Sequence, residues 1–127
     1  MKKSLVFIAV LLVSSFFHSC EKEQTFNENF LIGKWRSGTE YYKYLPNSSA
    51  QREGYKKGGS WDESDDVYED EAQPFDWRLL KSELRHIHIM EMGGVVPKSY
   101  TVTELTTATL RYIDDFGNSF FFIKVTD

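Results

Sequence analysis

The chain has 127 residues, one cysteine and a formal net charge of −4. Its acidic balance lacks the basic footprint that nucleic-acid binding requires, and a single cysteine excludes an internal disulfide framework, so packing alone must hold the fold. The length fits one domain with a real core, and no repeat or low-complexity tract divides it.

The chain opens on Met1-Lys2-Lys3-Ser4, followed by an unbroken apolar run from Leu5 to Val13 that Phe16-Phe17 extends. A basic start and an apolar stretch of this kind make a secretory signal. The run is shorter than the roughly 20 apolar residues a transmembrane helix needs. The cysteine follows at once, in Phe17-His18-Ser19-Cys20. This segment resembles a lipoprotein cleavage box, with His18 where a small residue is commoner. The resemblance implies that residues 1–19 are a cleaved signal peptide and that Cys20 is the lipidated first residue of the mature chain. Acyl chains contribute about 0.8 kcal/mol per buried methylene, and two or more hold a protein stably on a bilayer. Cleavage removes Lys2 and Lys3 and no acidic residue, so the charge falls from −4 to −6. Residues 20–29, with Glu21-Lys22-Glu23-Gln24, read as a lipidated polar tether. The residue after the cysteine is not Asp, so the inner-membrane retention signal is missing. The expectation is an outer-membrane lipoprotein, facing either the periplasm or the cell surface.

Most of the mature sequence reads in period two, the strand signature. Lys34 to Leu45 reads as one long or bent strand, and Gln51 to Trp61 as another, with Gly58-Gly59 marking a bulge or bend. Asp66-Val67-Tyr68-Glu69 has the spacing of a helix capping box, which predicts a short helix from Val67 to Gln73, stopped by Pro74. Phe75 to Lys81 is a strand, linked by Ser82-Glu83 to the alternating run 84–91. There Leu84, His86, His88 and Met90 share one face. Met92-Gly93-Gly94 supplies a turn. Tyr100, Val102 and Glu104 alternate with Thr101, Thr103 and Leu105. Thr106-Thr107 links to Leu110–Ile113, and Asp114-Asp115-Phe116-Gly117 is a hairpin loop with Gly placed for a bulge. Phe120 to Val125 is apolar on both faces, which predicts a closing strand covered by an N-terminal segment. A meander of this kind must close or cover its edges. The fold class is therefore all-β: a small antiparallel barrel of about seven or eight strands with one short helix.

Phe30-Leu31-Ile32-Gly33-Lys34-Trp35 carries a Gly-x-Trp entry into the first strand, and it resembles the lipocalin signature. The resemblance implies that Trp35 packs across one end of the barrel under a basic side chain from a late strand. Arg111 and Lys124 are both placed for that role. Gly33, Trp35 and Arg111 form the expected barrel-end set. Trp35 to Tyr42, then Glu69 to Gln73, then Gly93 to Tyr100 together resemble the small lipocalin-like lipoproteins of gut anaerobes. The implied domain spans residues 30–127. The chain is shorter than true lipocalins and lacks their later Thr-Asp-Tyr signature, and a small barrel can be filled by its own side chains.

Three sets of residues are candidates for a site. Asp62, Glu63, Asp65, Asp66, Glu69, Asp70 and Glu71 crowd seven carboxylates into ten residues, a density of oxygen ligands that suits Ca²⁺. Their spacing does not match an EF-hand, and a solvated acidic loop is the simpler reading. His86 and His88 point to one face of a strand, where a zinc site could begin, but zinc needs three or four ligands. A polar outer face is the simpler account of the pair. No metal is expected; Asp62, Asp65, Asp66, His86 and His88 are the weak candidates. The aromatics Tyr41, Tyr42, Tyr44, Tyr55, Trp61, Tyr68 and Trp77 gather in the first half. Aromatic surfaces stack on sugar rings and line apolar pockets, which makes Tyr41, Tyr42, Tyr55, Trp61 and Trp77 the candidate ligand-binding residues. No nucleophile elbow, phosphate loop or metal-protease motif appears, so neither catalysis nor a cofactor is expected. The reading is a lipid-anchored envelope protein that binds a small apolar or sugar-like ligand. The alternative is a surface module, its barrel filled, that contacts another envelope protein. The interior discriminates: large side chains at every inward position favour the second.

Overall fold

The computed structural model describes residues 24–126 apart from 48, 49 and 51; the signal segment and Cys20 lie outside the described residues. Eight antiparallel strands close into a barrel in sequence order. They are β1 (Gly33–Ser37), β2 (Glu40–Tyr44), β3 (Lys56–Asp62), β4 (Gln73–Leu80), β5 (Glu83–Ile89), β6 (Val95–Leu105), β7 (Thr109–Asp114) and β8 (Ser119–Val125). Closure pairs β1 with β8 through Lys34 and Val125, Trp35 and Lys124, and Arg36 and Ile123. A closed sheet leaves no edge to protect.

Alternation decides what each strand buries. Tyr42 and Tyr44 on β2, Phe75, Trp77 and Leu79 on β4, Leu84, His86 and His88 on β5, and Leu110 and Tyr112 on β7 all face inward. On β6 the period slips, because both Val102 and Leu105 are buried. The register shifts between Val102 and Glu104, so Thr103 is the extra residue of a bulge that returns Leu105 to the core. On β3, Gly58 lies opposite Tyr44 on one side and Phe75 on the other. A Cβ there would come within 2.6 Å of both the Lys43 carbonyl oxygen and the Phe75 ring. Glycine is what lets the aromatic side chain cross the barrel at that level.

One end is sealed. Helix α1 (Glu28–Leu31), capped by Asn27, sets Leu31 fully buried against the core. The Leu31 carbonyl accepts from the Trp35 indole at 2.8 Å. Lys124 Nζ lies 4.6 Å over the Trp35 ring and donates to the carbonyls of Phe30 and Ile32 at 3.2 and 2.6 Å. Gly33 has φ +132°, and a Cβ on it would strike the Lys124 side chain at 2.7 Å. Burial holds the Lys124 ammonium below the usual lysine range. The basic cover of Trp35 is thus Lys124. Arg111 is a correction: β7 turns it outward, where its guanidinium packs 4.1 Å over Phe121.

The expected all-β antiparallel barrel is present, with local differences. Lys34 to Leu45 is a hairpin of two strands turning at Gly38-Thr39, because that turn lets Tyr41 to Tyr44 pair back on β1. The expected helix over 67–73 is replaced by two 3₁₀ turns, Glu63–Asp65 and Glu69–Glu71. Asp66 does not cap a helix. It sits at φ 59° and closes the first turn, while Glu69 reaches away to Lys34 and Lys43. The described N-terminal segment crosses the sealed end rather than the outer face of β8, where Ile123 stays exposed.

Candidate functional site

The opposite end is open, and the registers assemble its inner layer. Glu40 lies opposite Asp62 and Tyr42 opposite Ser60; Ser60 lies opposite Gln73. Phe75 pairs with His88, His88 with Val96, and His86 with Lys98. Below this layer the barrel is filled by side chains. Phe75 stacks on His86 at 4.5 Å, Tyr100 meets His86 edge-on at 5.2 Å, and Tyr112 packs between Tyr100 and Phe122. What remains is a cleft of about 880 Å³ at the open end, walled by the segment 63–73 on one side and the turn between β5 and β6 on the other.

Two imidazoles form the base of this site. His86 is fully buried, and its Nε2 lies 2.8 Å from the Tyr44 hydroxyl, while its Nδ1 has no hydrogen-bond partner among the described residues. Burial drives its pKa well below the usual histidine value, helped by the neighbouring His88 and Lys98. His88 is 5% exposed, stacks on Phe75 at 5.1 Å, lines the cleft, and leaves a buried Nε2 unpartnered among the described residues. Burial, and then the Lys98 charge, lower its pKa to about 4. Both rings are therefore neutral at pH 7, able to donate or accept through the tautomer present. A buried polar atom left unpaired costs about 1–3 kcal/mol.

Burial also governs the tyrosines near the site. Burial raises the Tyr42 phenol well above its ordinary range, with the Glu40 carboxylate second. Burial lifts Tyr100 to about 12, followed by Asp114 and Glu40. Glu40 shares its strand phase with Tyr42, at the open rim of the barrel.

The wall at 63–73 is tied down in two places. Asp62 Oδ1 accepts from Thr39 Oγ1 at 2.7 Å and from the Ser64 amide and hydroxyl at 2.9 and 2.7 Å. These bonds hold its carboxyl below the usual range, the Ser64 hydroxyl contributing most. Glu69 bridges Lys34 at 2.5 Å and Lys43 at 3.2 Å across the outer face of β1 and β2. The Lys34 hydrogen bond is the main reason its carboxyl also stays low. Under this wall Trp61 is 6% exposed, stacked on Tyr41 with ring centroids 5.2 Å apart and planes 2° from parallel; its Nε1 has no partner among the described residues.

Of the candidate ligand-binding aromatics, Tyr41, Tyr42 and Trp61 line the cleft. Tyr55 and Trp77 do not. Tyr55 lies outside the barrel, with the Arg78 guanidinium 5.1 Å over its ring. Trp77 is fully buried and donates to the Lys57 carbonyl at 2.9 Å, so it is wall and core. Of the acidic set, Asp62, Asp65 and Glu71 line the cleft, whereas Asp66 is exposed on the loop. His86 and His88 face the interior, which corrects the expectation of a polar outer face. Their alternation with Leu84 carried that signal, since Leu84 is buried on the same side. Among the described residues no group of three or more His, Cys, Asp or Glu is placed to hold a metal ion. Ser60, Gln73, Glu91 and Lys98 also line the cleft; nothing in their local sequence marks them, because only register across strands brings them together.

Comparison with known proteins finds no matching family model, no matching curated protein and no matching solved structure.

Proposed function

We propose that this protein is a lipid-anchored envelope protein whose barrel is a packed scaffold for a small-molecule site at its open end. The observation that carries the reading is His88: a neutral, nearly buried imidazole at the base of an open cleft, with Nε2 left without a partner among the described residues. A ligand hydroxyl or amide would satisfy that atom, and its binding would recover the cost of leaving it dry. The filled interior speaks against an apolar ligand sunk in a deep calyx. Glu40, Asp62 and Asp65 at the cleft speak for a polar, sugar-like ligand. The lipid on Cys20, and with it an outer-membrane address, is part of this proposal and rests on the sequence of the cleavage box.

A second reading has its own observation. Met92 and Phe116, at the tips of two hairpins beside the open end, are 97% and 89% exposed. Apolar tips of this kind suit contact with another envelope protein, which the filled barrel would also permit. An NMR titration of the purified protein against a panel of neutral, amine-bearing and acidic oligosaccharides separates the two. The site reading expects shifts at Tyr42, the Trp61 indole and the His88 ring. An unresponsive cleft, with Met92 and Phe116 broadened by a detergent extract of envelope proteins, would establish the second.

A further inference from the structure

We propose that the cleft takes an amine-bearing, hydroxyl-rich ligand of the amino-sugar kind; this deepens, and rests on, the reading of the cleft as a binding site. The first argument is charge. Glu40, Asp62, Asp65, Glu71 and Glu91 line the cleft against one ammonium, Lys98. Asp62 is engaged by Thr39 and Ser64, so it supplies field rather than contact. Glu40, Asp65, Glu71 and Glu91 make no side-chain hydrogen bond or ion pair among the described residues. Uncompensated carboxylates around a concave surface concentrate cations and repel anions. Glu40 lies opposite Asp62 in the same strand phase as Tyr42, so part of that field lies at the barrel mouth.

The second argument is an orphaned polar atom on the inward face. His88 is more than nine-tenths buried and lines the cleft, and its Nε2 has no partner among the described residues. A neutral imidazole nitrogen takes a donor or an acceptor according to its tautomer. Trp61 pairs with Tyr41 and lies with it on the outer face of the sheet, so its indole borders the cleft from beneath the wall and reports on the site without sharing a contact with His88. A hydroxyl answers the imidazole in either tautomer, and an ammonium on the same molecule answers the free carboxylates. The half-buried Tyr42 ring provides a face for the C–H surface of a sugar or for the ammonium itself.

The test titrates the purified protein near neutral pH with a β-1,4-linked glucosamine tetrasaccharide and with its N-acetylated counterpart, following the His88 ring and Trp61 indole resonances. The expected result is that the free amine binds at least about tenfold more tightly, a factor worth about 1.4 kcal/mol. That gap should close at high salt and in Glu40→Gln and Glu71→Gln. Both substitutions replace exposed carboxylates that hold no partner among the described residues, so the fold should survive either. Equal affinity, or preference for the acetylated chain with the same resonances moving, would overturn the amine class while leaving the cleft as the site. Binding of the free amine that moves resonances only outside the cleft would overturn the inference as diffuse attraction to an acidic surface. Failure of both sugars to move either resonance would overturn it too; the cleft reading then stands or falls on whether the natively purified protein carries a bound mass, which does not depend on the sugar chosen.

Discussion

His86 and His88 stand two residues apart on β5, with ring centroids 5.5 Å apart, and each leaves one buried ring nitrogen without a partner among the described residues. The first nitrogen, Nδ1 of His86, is shut within aromatic rings. The second, Nε2 of His88, sits at a residue that lines the open cleft. The same strand thus carries one histidine held in the packing through the Tyr44 hydroxyl and one facing a place where a ligand can reach.

These buried imidazoles make stability depend on pH. Unfolded histidine titrates near 6.5, whereas His88 in the fold titrates at about 4 and His86 well below its usual value. Between those limits the unfolded chain binds more protons, so stability is full above pH 6.5 and falls as pH drops toward 4. His88 alone should account for a loss of up to about 3 kcal/mol by pH 4. Urea midpoints at pH 7.5, 6.5, 5.5 and 4.5 should fall in that order. His88→Gln should flatten part of the slope, and a midpoint unchanged between pH 6.5 and 4.5 would contradict the burial of both rings.

Trp35 and Lys124 hold the sealed end as one unit. Trp35→Ala should cost about 3–5 kcal/mol, the range for removing a large buried aromatic. Lys124→Met keeps the stem but loses two carbonyl hydrogen bonds and the cation over the ring, for about 1–3 kcal/mol. Because the residues touch, the double variant should lose less than the two single losses added. Arg111→Met should leave the melting temperature nearly unchanged, since Arg111 packs on Phe121 at the surface.

Glu69 holds the wall of the cleft rather than the fold. Its bridge to Lys34 and Lys43 is partly exposed, which limits its contribution to under about 1 kcal/mol. Glu69→Gln should leave global stability almost as it was while amide exchange quickens over residues 63–72. Faster exchange throughout the barrel would mean that this bridge supports the core as well.

The sequence showed the barrel through alternation, and the strands from Glu83 onward follow it apart from the bulge at Thr103 on β6. It did not show the hairpin at Gly38-Thr39, because Trp35 to Leu45 is rich in aromatics on both faces and Gly38 alone interrupts it. The apparent capping box at Asp66–Glu69 misled for a physical reason: Asp66 sits at φ 59° as the close of the preceding 3₁₀ turn, so it cannot start a helix, and Glu69 faces two lysines across the sheet. The cleft was half legible. Tyr41, Tyr42 and Trp61 stood out by type, but Tyr55 and Trp77 looked the same in sequence and serve as outer cover and core. Lys98 and Gln73 belong to the site only because neighbouring strands bring them to the same level.

The address is a separate matter with its own test. Cys20→Ser should leave the chain unlipidated, and the protein should move from the membrane pellet to the soluble fraction. Retention of the variant in membranes would show that the anchor lies elsewhere.

The most direct test of the central claim is native mass spectrometry of the protein purified from its own host without denaturation, alongside His88→Leu. A site at the open end predicts a reproducible extra mass on the wild type that falls away in the variant, with both proteins folded by circular dichroism. A bare mass for the wild type, or an adduct that His88→Leu leaves untouched, would contradict it.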